Sequence, residues 1–252
     1  MSTEGKYIYC IADNVKEEKF GPIGIGGRGD ELSVIIYQDI GAAVSNSPII
    51  KYRVNRENLL CHERAVEEVM KYHVVLPVRF GTIAEDEKQV KRILEKEYIR
   101  FRQLLDDIAD KKELGLKIVF KEETIYKNIL TDYTEIRMRR ERIAHELPEK
   151  TYHQRMEIGR LVEAALEKEK RRCRENILET LMPLCEDAKI NNAYGERMIL
   201  NAAFLVNKSK ETDFDIKVNE LSDKYNSKMK FKYIGTVPPF NFVNIPINTG
   251  DY

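Results

Sequence analysis

The chain opens on a continuous apolar run, Tyr7 to Ala12, and carries two more, Leu32 to Tyr37 and Ile40 to Ser45, parted only by Gln38-Asp39. Short runs of β-branched and aromatic residues read as strands, and the two-residue gap joins the second and third into a hairpin. Between the first two lies Gly21-Pro22-Ile23-Gly24-Ile25-Gly26-Gly27-Arg28-Gly29-Asp30, too rich in glycine for regular structure and expected to be a mobile loop. The period then changes. Asn55 suits an N-cap, and Leu59, Val66, Met70 and His73 share one face of a helix expected from Arg56 to His73.

A strand follows directly, Val74-Val75-Leu76-Pro77-Val78-Arg79-Phe80-Gly81-Thr82, apolar but for one arginine. From Glu85 to Asp110, Val90, Ile93, Leu94, Phe101, Leu104, Leu105 and Ile108 repeat at helical spacing, with acidic residues in the first turn where the helix dipole favours them. A strand from Leu116 to Phe120 closes the series. This alternation implies a mixed sheet with helices on one face, an α+β arrangement of ferredoxin-like type.

The stretch from Glu122 to Glu186 is charge-dense and helical, interrupted at Pro148 and restarted at Tyr152 by a capping-box signature, Thr151 with Gln154. Its apolar stripe runs through Ile158, Leu161, Val162, Ala165, Leu166, Cys173, Ile177, Leu181 and Leu184. Beyond it, Met198 to Val206 reads as a strand apolar on both faces, and Thr212 caps a helix with Phe214, Val218, Leu221 and Tyr225 on one stripe. Lys228 to Tyr233 alternates strictly between lysine and apolar residues, so a second β-α-β unit is expected. The tail from Asn244 onward reads as an edge strand or a loosely held end. The expected organisation is an N-terminal α+β domain over 1–121, a helical connector or arm over 122–190, and a C-terminal α+β domain over 191–252 that takes in part of the connector.

Composition changes the picture mainly by exclusion. Of the 252 residues 42% are apolar and 33% charged, with a formal net charge of zero, so a core is affordable and no basic face points to nucleic acid. No run approaches the roughly 20 apolar residues that span a bilayer, and Tyr7 to Ala12 is too short for a signal h-region, so the protein is expected to stay in the cytoplasm. Cys10, Cys61, Cys173 and Cys185 are scattered without CxxC pairing, as reduced thiols are.

Candidate chemistry is sparse. The glycine-rich segment lacks the Gly-Lys-Ser/Thr of a phosphate loop and leads into a strand rather than a helix. Cys61 and His62 are neighbours whose side chains diverge on a helix, and His62, His73, His145 and His153 show no metal-ligand spacing, so neither a catalytic residue nor a metal or cofactor site is assigned. Arg137, Arg139, Arg140 and Arg142 sit opposite Glu135, Glu141 and Glu146, as on a salt-bridged helical face. Arg79 stands out. A guanidinium in an apolar strand must find a buried acceptor or reach a surface; a buried pair is the first expectation and partner contact the second.

Several segments, taken in order, resemble the gas vesicle protein L/F family, GvpF and GvpL. They are Tyr7-Ile8-Tyr9-Cys10-Ile11, Leu76-Pro77-Val78-Arg79-Phe80-Gly81-Thr82, a long charged helix bearing Gly159-Arg160-Leu161, Leu200-Asn201-Ala202-Ala203-Phe204-Leu205-Val206, and Gly235-Thr236-Val237-Pro238-Pro239-Phe240-Asn241-Phe242-Val243. The resemblance covers nearly the whole chain. It implies two α+β domains, the second ferredoxin-like, and an accessory factor of gas vesicle assembly rather than an enzyme. The implied partners are the small hydrophobic shell protein and other accessory proteins. Family members often carry tryptophan near the Pro-Pro element; this chain has none. Holding or delivering shell subunits needs exposed apolar surface, for which Val78, Arg79, Phe80, Pro238, Pro239, Phe240 and Phe242 are the candidates, core packing being the competing role of each. The alternative is a small-molecule or phosphate-binding α+β domain, possibly enzymatic, using the glycine-rich segment and Arg79.

Overall fold

A computed structural model describes residues 4–16, 18–243 and 245–251. The fold is α+β and divides into two compact units, Met1–Glu113 with Thr236–Tyr252, and Leu114–Gly235.

The first unit is built around β1 (Glu4–Asp13), whose residues Tyr7 to Ala12 are all fully buried. The hairpin forms as its spacing predicts, β2 (Ser33–Tyr37) and β3 (Ile40–Pro48), with Tyr37 opposite Ile40 and Gln38 at a φ of 54° in the turn. With β4 (Val75–Pro77) the sheet order is β2-β3-β1-β4, β5 (Ile83–Ala84) also pairing β1, and each of these pairings is antiparallel. A register shift between Ile8 and Cys10 marks a bulge in β1. Ile8 and Ile11 therefore enter one core, and Tyr7, Tyr9, Cys10 and Ala12 the other.

Helices cover both faces of this sheet rather than the single face expected. On one side lie α2 (Glu87–Lys96) and α3 (Tyr98–Ile108), contributing Val90, Ile93, Leu94, Phe101 and Leu105; the continuous helix expected over 85–110 breaks at Glu97. On the other lies α1 (Arg56–Met70), capped by Asn55, which accepts the Asn58 N–H at 2.8 Å. Its buried stripe is His62, Ala65, Val66 and Val69, so Leu59 is left 42% exposed, contrary to the stripe read from the sequence. The glycine-rich segment packs on the same side and buries Ile25, with Leu32 just beyond it in the same core.

The second unit holds a four-stranded sheet of order β7-β8-β6-β9, made of β6 (Lys111–Phe120), β7 (Asp187–Ile190), β8 (Met198–Asn207) and β9 (Met229–Val237). Its helices are α4 (Glu122–Asp132), α5 (Thr134–Arg142), α6 (Tyr152–Leu181) and α7 (Glu211–Tyr225). Without α4 and α5 the element order is β-α-β-β-α-β, that of a split βαβ motif. Leu116, Ile118, Phe204, Phe214, Ile177 and Leu181 form the centre of one core.

The unit boundaries differ from those expected at 121 and 190. Residues 122–190 are no free connector: Ala165, Leu166, Cys173, Ile177 and Leu181 of α6 bury against the second sheet. The segment after β9 belongs to the first unit, whose core takes in Val243 and Ile245. Asn244, where the tail reading begins, lies outside the described residues; Ile245 beyond it makes a parallel bridge to Val78. Helix α6 starts where Thr151 and Gln154 predict, but the capping box does not form, because the Thr151 hydroxyl donates to the Leu147 carbonyl at 3.2 Å and accepts from Arg155. The arginine cluster lies on α5, where Arg139 pairs with Glu135 and Glu157.

Candidate functional site

The Val74–Thr82 segment folds as a short strand and a hook. Val75, Leu76 and Pro77 pair with Ala12, Ile11 and Cys10, and β4 ends the sheet order, a place where a proline lacking its N–H does no harm. Val78 extends the pairing by donating to the Tyr9 carbonyl at 2.9 Å. The chain then turns: the Arg79 carbonyl accepts from the Thr82 hydroxyl at 2.7 Å, and Gly81 takes a φ of 84°, a left-handed conformation suited to glycine. The Gly81 N–H donates to the Tyr7 hydroxyl at 2.9 Å, tying the hook to the central strand. Arg79 is thereby carried out to solvent. The buried ion pair expected for it does not form, because the turn begins at this residue and projects it from the sheet edge.

A second turn approaches from the chain's other end. The Pro239 carbonyl accepts from Phe242 and Val243, and Pro238 from Phe240, so the two prolines are buried turn formers and Phe240 is thrust outward, 37% exposed. Asn241 anchors this turn by donating from both its main chain and its amide to the Glu113 carboxylate, at 3.0 and 2.5 Å. Glu113 is 3% exposed, and burial raises its pKa while the two Asn241 bonds work against that rise.

Helix α1, the hook and the second turn enclose an open groove of about 480 Å3. Its walls include Leu59 and Glu63 from α1, Arg79 and Phe80 from the hook, and Phe240 from the turn, with His62 and Val78 below. Phe80 and Phe240 set their rings 5.8 and 6.1 Å from the His62 imidazole. Of the residues singled out from sequence, Val78, Arg79, Phe80 and Phe240 come together here. Pro238, Pro239 and Phe242 do not line the groove.

Sequence reasoning missed Leu59 and His62. The signal was present: His62, Ala65, Val66 and Val69 are spaced as one helical stripe, and choosing it over the Leu59 stripe would have put Leu59 at the surface. His62 Nδ1 lies 3.1 Å from the Tyr7 hydroxyl, and burial lowers the imidazole pKa to about 4. Its neighbour Cys61 turns away and donates to the Ile23 and Gly24 carbonyls at 3.4 Å. Burial raises the Cys61 pKa, the reverse of what a reactive thiol needs.

The glycine-rich segment offers little to a phosphate. Its Gly24 N–H donates to the Asp30 carbonyl, that of Ile25 to the Tyr9 hydroxyl at 2.7 Å, and that of Ile23 to the Gly21 carbonyl. It is pinned to the first unit rather than hung as the loop expected. Among the described residues no cluster of histidine, cysteine, aspartate or glutamate could hold a metal ion, and no helix is long and apolar enough to cross a membrane.

These features define an α+β protein whose first unit carries an open groove with aromatic walls and an exposed arginine. Comparison with known proteins gives that surface a setting. The chain belongs to the gas vesicle synthesis protein GvpL/GvpF family, whose model matches residues 5–244. It is 26% identical to gas vesicle protein F of Dolichospermum flosaquae over 95% of this chain and 97% of that protein, and 28% identical to gas vesicle protein F of a Streptomyces species over 96% and 100%. Its fold resembles the crystal structure of GvpF from Anabaena sp. PCC7120 with a TM-score of 0.79 at 23% identity, covering 97% of this chain and all of that one. GvpF from Microcystis aeruginosa gives a TM-score of 0.71 at 20% identity, covering 94% and 98%. This membership supports a gas vesicle-associated role for the protein.

Proposed function

We infer that the protein holds or delivers the small hydrophobic shell subunits of the gas vesicle, in the cytoplasm at the growing vesicle and beside other accessory proteins, and that it acts by binding rather than catalysis. The observation that carries this reading is the groove of the first unit, where Leu59 and Phe240 stay 42% and 37% exposed beside half-buried Phe80. A subunit that is apolar when free gains by covering such surface, at roughly 25 cal/mol per Å2. The sequence-level contact set narrows accordingly to Arg79, Phe80 and Phe240, joined by Leu59, with Val78 beneath them.

Co-expression with the shell protein tests this. The shell protein should co-purify with the wild-type chain above the level of an unrelated soluble control, and the double variant Leu59→Ser, Phe240→Ala should lower recovery about tenfold while folding normally. Equal recovery with the unrelated control refutes the reading.

A further inference from the structure

Two polar groups of this groove are left without good partners by the fold itself. Arg79 is exposed and has no carboxylate within ion-pair distance among the described residues, although Glu63 lines the same groove. A planar, always-charged guanidinium is best satisfied by a carboxylate. The second group is at the floor. His62 is 4% exposed, and its Nδ1 faces the Tyr7 hydroxyl, which accepts the Gly81 N–H and has its own hydrogen to give to Nδ1. The imidazole hydrogen then sits on Nε2. There it has no hydrogen-bond partner; the Val78 carbonyl faces it without meeting hydrogen-bond geometry. Buried donors are nearly always paired in folded proteins, so an under-used one beside an open groove points to an acceptor that arrives with a ligand.

We propose that the groove recognises a partner segment bearing an apolar side chain and, close to it in sequence, a carboxylate. The apolar side chain seats against Leu59, Phe80 and Phe240, the carboxylate pairs with Arg79, and a main-chain carbonyl of the segment, reaching the covered floor as the Phe80 and Phe240 rings part, accepts the His62 Nε2 hydrogen. Glu63, on α1, repels a second acid on that wall and so gives the segment a direction. This rests on the reading of the groove as the shell-subunit site and adds what the site selects.

The test uses short overlapping peptides tiled along the shell protein, titrated against the full chain with His62 observed by imidazole 15N NMR. The tightest peptides should lose roughly tenfold in affinity when their Asp or Glu is changed to the amide. Arg79→Gln should cause the same loss for the acidic peptide and no further loss for the amide one, which marks a direct pair. The Nε2 resonance of His62 should move on addition of the acidic peptide. Binding that depends on Phe240 yet ignores both the acid and Arg79 overturns the proposal while leaving shell binding intact. An unmoved Nε2 resonance in a saturated complex overturns the assignment of His62, and failure of every peptide to bind overturns the whole proposal. Loss of shell-protein co-purification is the separate mark of failure for the underlying function.

Discussion

Acidifying the protein should weaken the first unit through one residue, His62. Its imidazole is 4% exposed, stacked on Tyr9 at 5.6 Å and bonded to Tyr7, and burial lowers its pKa from 6.5 to about 4. In the unfolded chain it titrates near 6.5, so between these values the unfolded state binds the proton and the folded state does not. Stability therefore falls as pH drops from about 6.5 toward 4 and levels off below, the full effect being about 3 kcal/mol. Between pH 7 and pH 4.5 the share of His62 alone is about 2 kcal/mol. His62→Phe removes the titrating group but keeps an aromatic ring among Tyr7, Tyr9, Phe80 and Phe240. It leaves the Tyr7 hydroxyl short of an acceptor at both pH values, so that penalty cancels in the comparison. Urea unfolding read from the amide resonances of β1 reports the first unit without assuming that both units melt together. The wild type should lose about 2 kcal/mol more than His62→Phe over this range. Parallel pH dependence in the two proteins would refute the argument, and with it the claim that the folded core keeps this imidazole neutral.

Gly81→Ala should destabilise the first unit by roughly 1–2 kcal/mol, seen as a lower urea midpoint, because φ is 84° while the added Cβ would meet nothing within 4 Å; the loss is purely one of backbone conformation. Asn241→Ala removes the amide donor to the buried Glu113 carboxylate and leaves the main-chain one, so the Glu113 pKa, already raised, should climb further when followed by 13C NMR. Phe204→Ala, at a fully buried ring 5.2 Å from Phe214, should destabilise the second unit by about 3–5 kcal/mol, measured on the amides of β8.

What could be read from the sequence was whatever depends on local period and end signals. The hairpin around Gln38-Asp39, the start of α1 at Asn55, the restart at Tyr152 and the lysine-alternating β9 all declare themselves within a few residues. What could not be read depends on contacts distant in the chain. The strand β7 is short and mostly exposed, DAKI, and exists because Asp187 to Ile190 find Leu205 to Ala202 beside them. Residues 122–190 look like an arm because charged residues crowd their exposed side, and only the opposite sheet shows that they are packed. The groove was half legible: Val78, Arg79, Phe80 and Phe240 announced themselves as apolar or odd residues in recognisable segments. Leu59 and His62 were hidden by a choice between two overlapping helical stripes, which the bulged β1 decides by presenting Tyr7 and Tyr9 to one of them.

The first unit is closed by residues that lie after the whole of the second, since Val243 and Ile245 enter its core and Phe240 completes the groove wall. On the ribosome this imposes an order. A nascent chain can fold the Leu114–Gly235 unit as it emerges, whereas the core of the first unit stays unsealed until Val243 and Ile245 have followed. The groove is thus completed only after the whole of the second unit has been made. A chain that stops short of Phe240 carries Arg79 and Phe80 but no opposing wall.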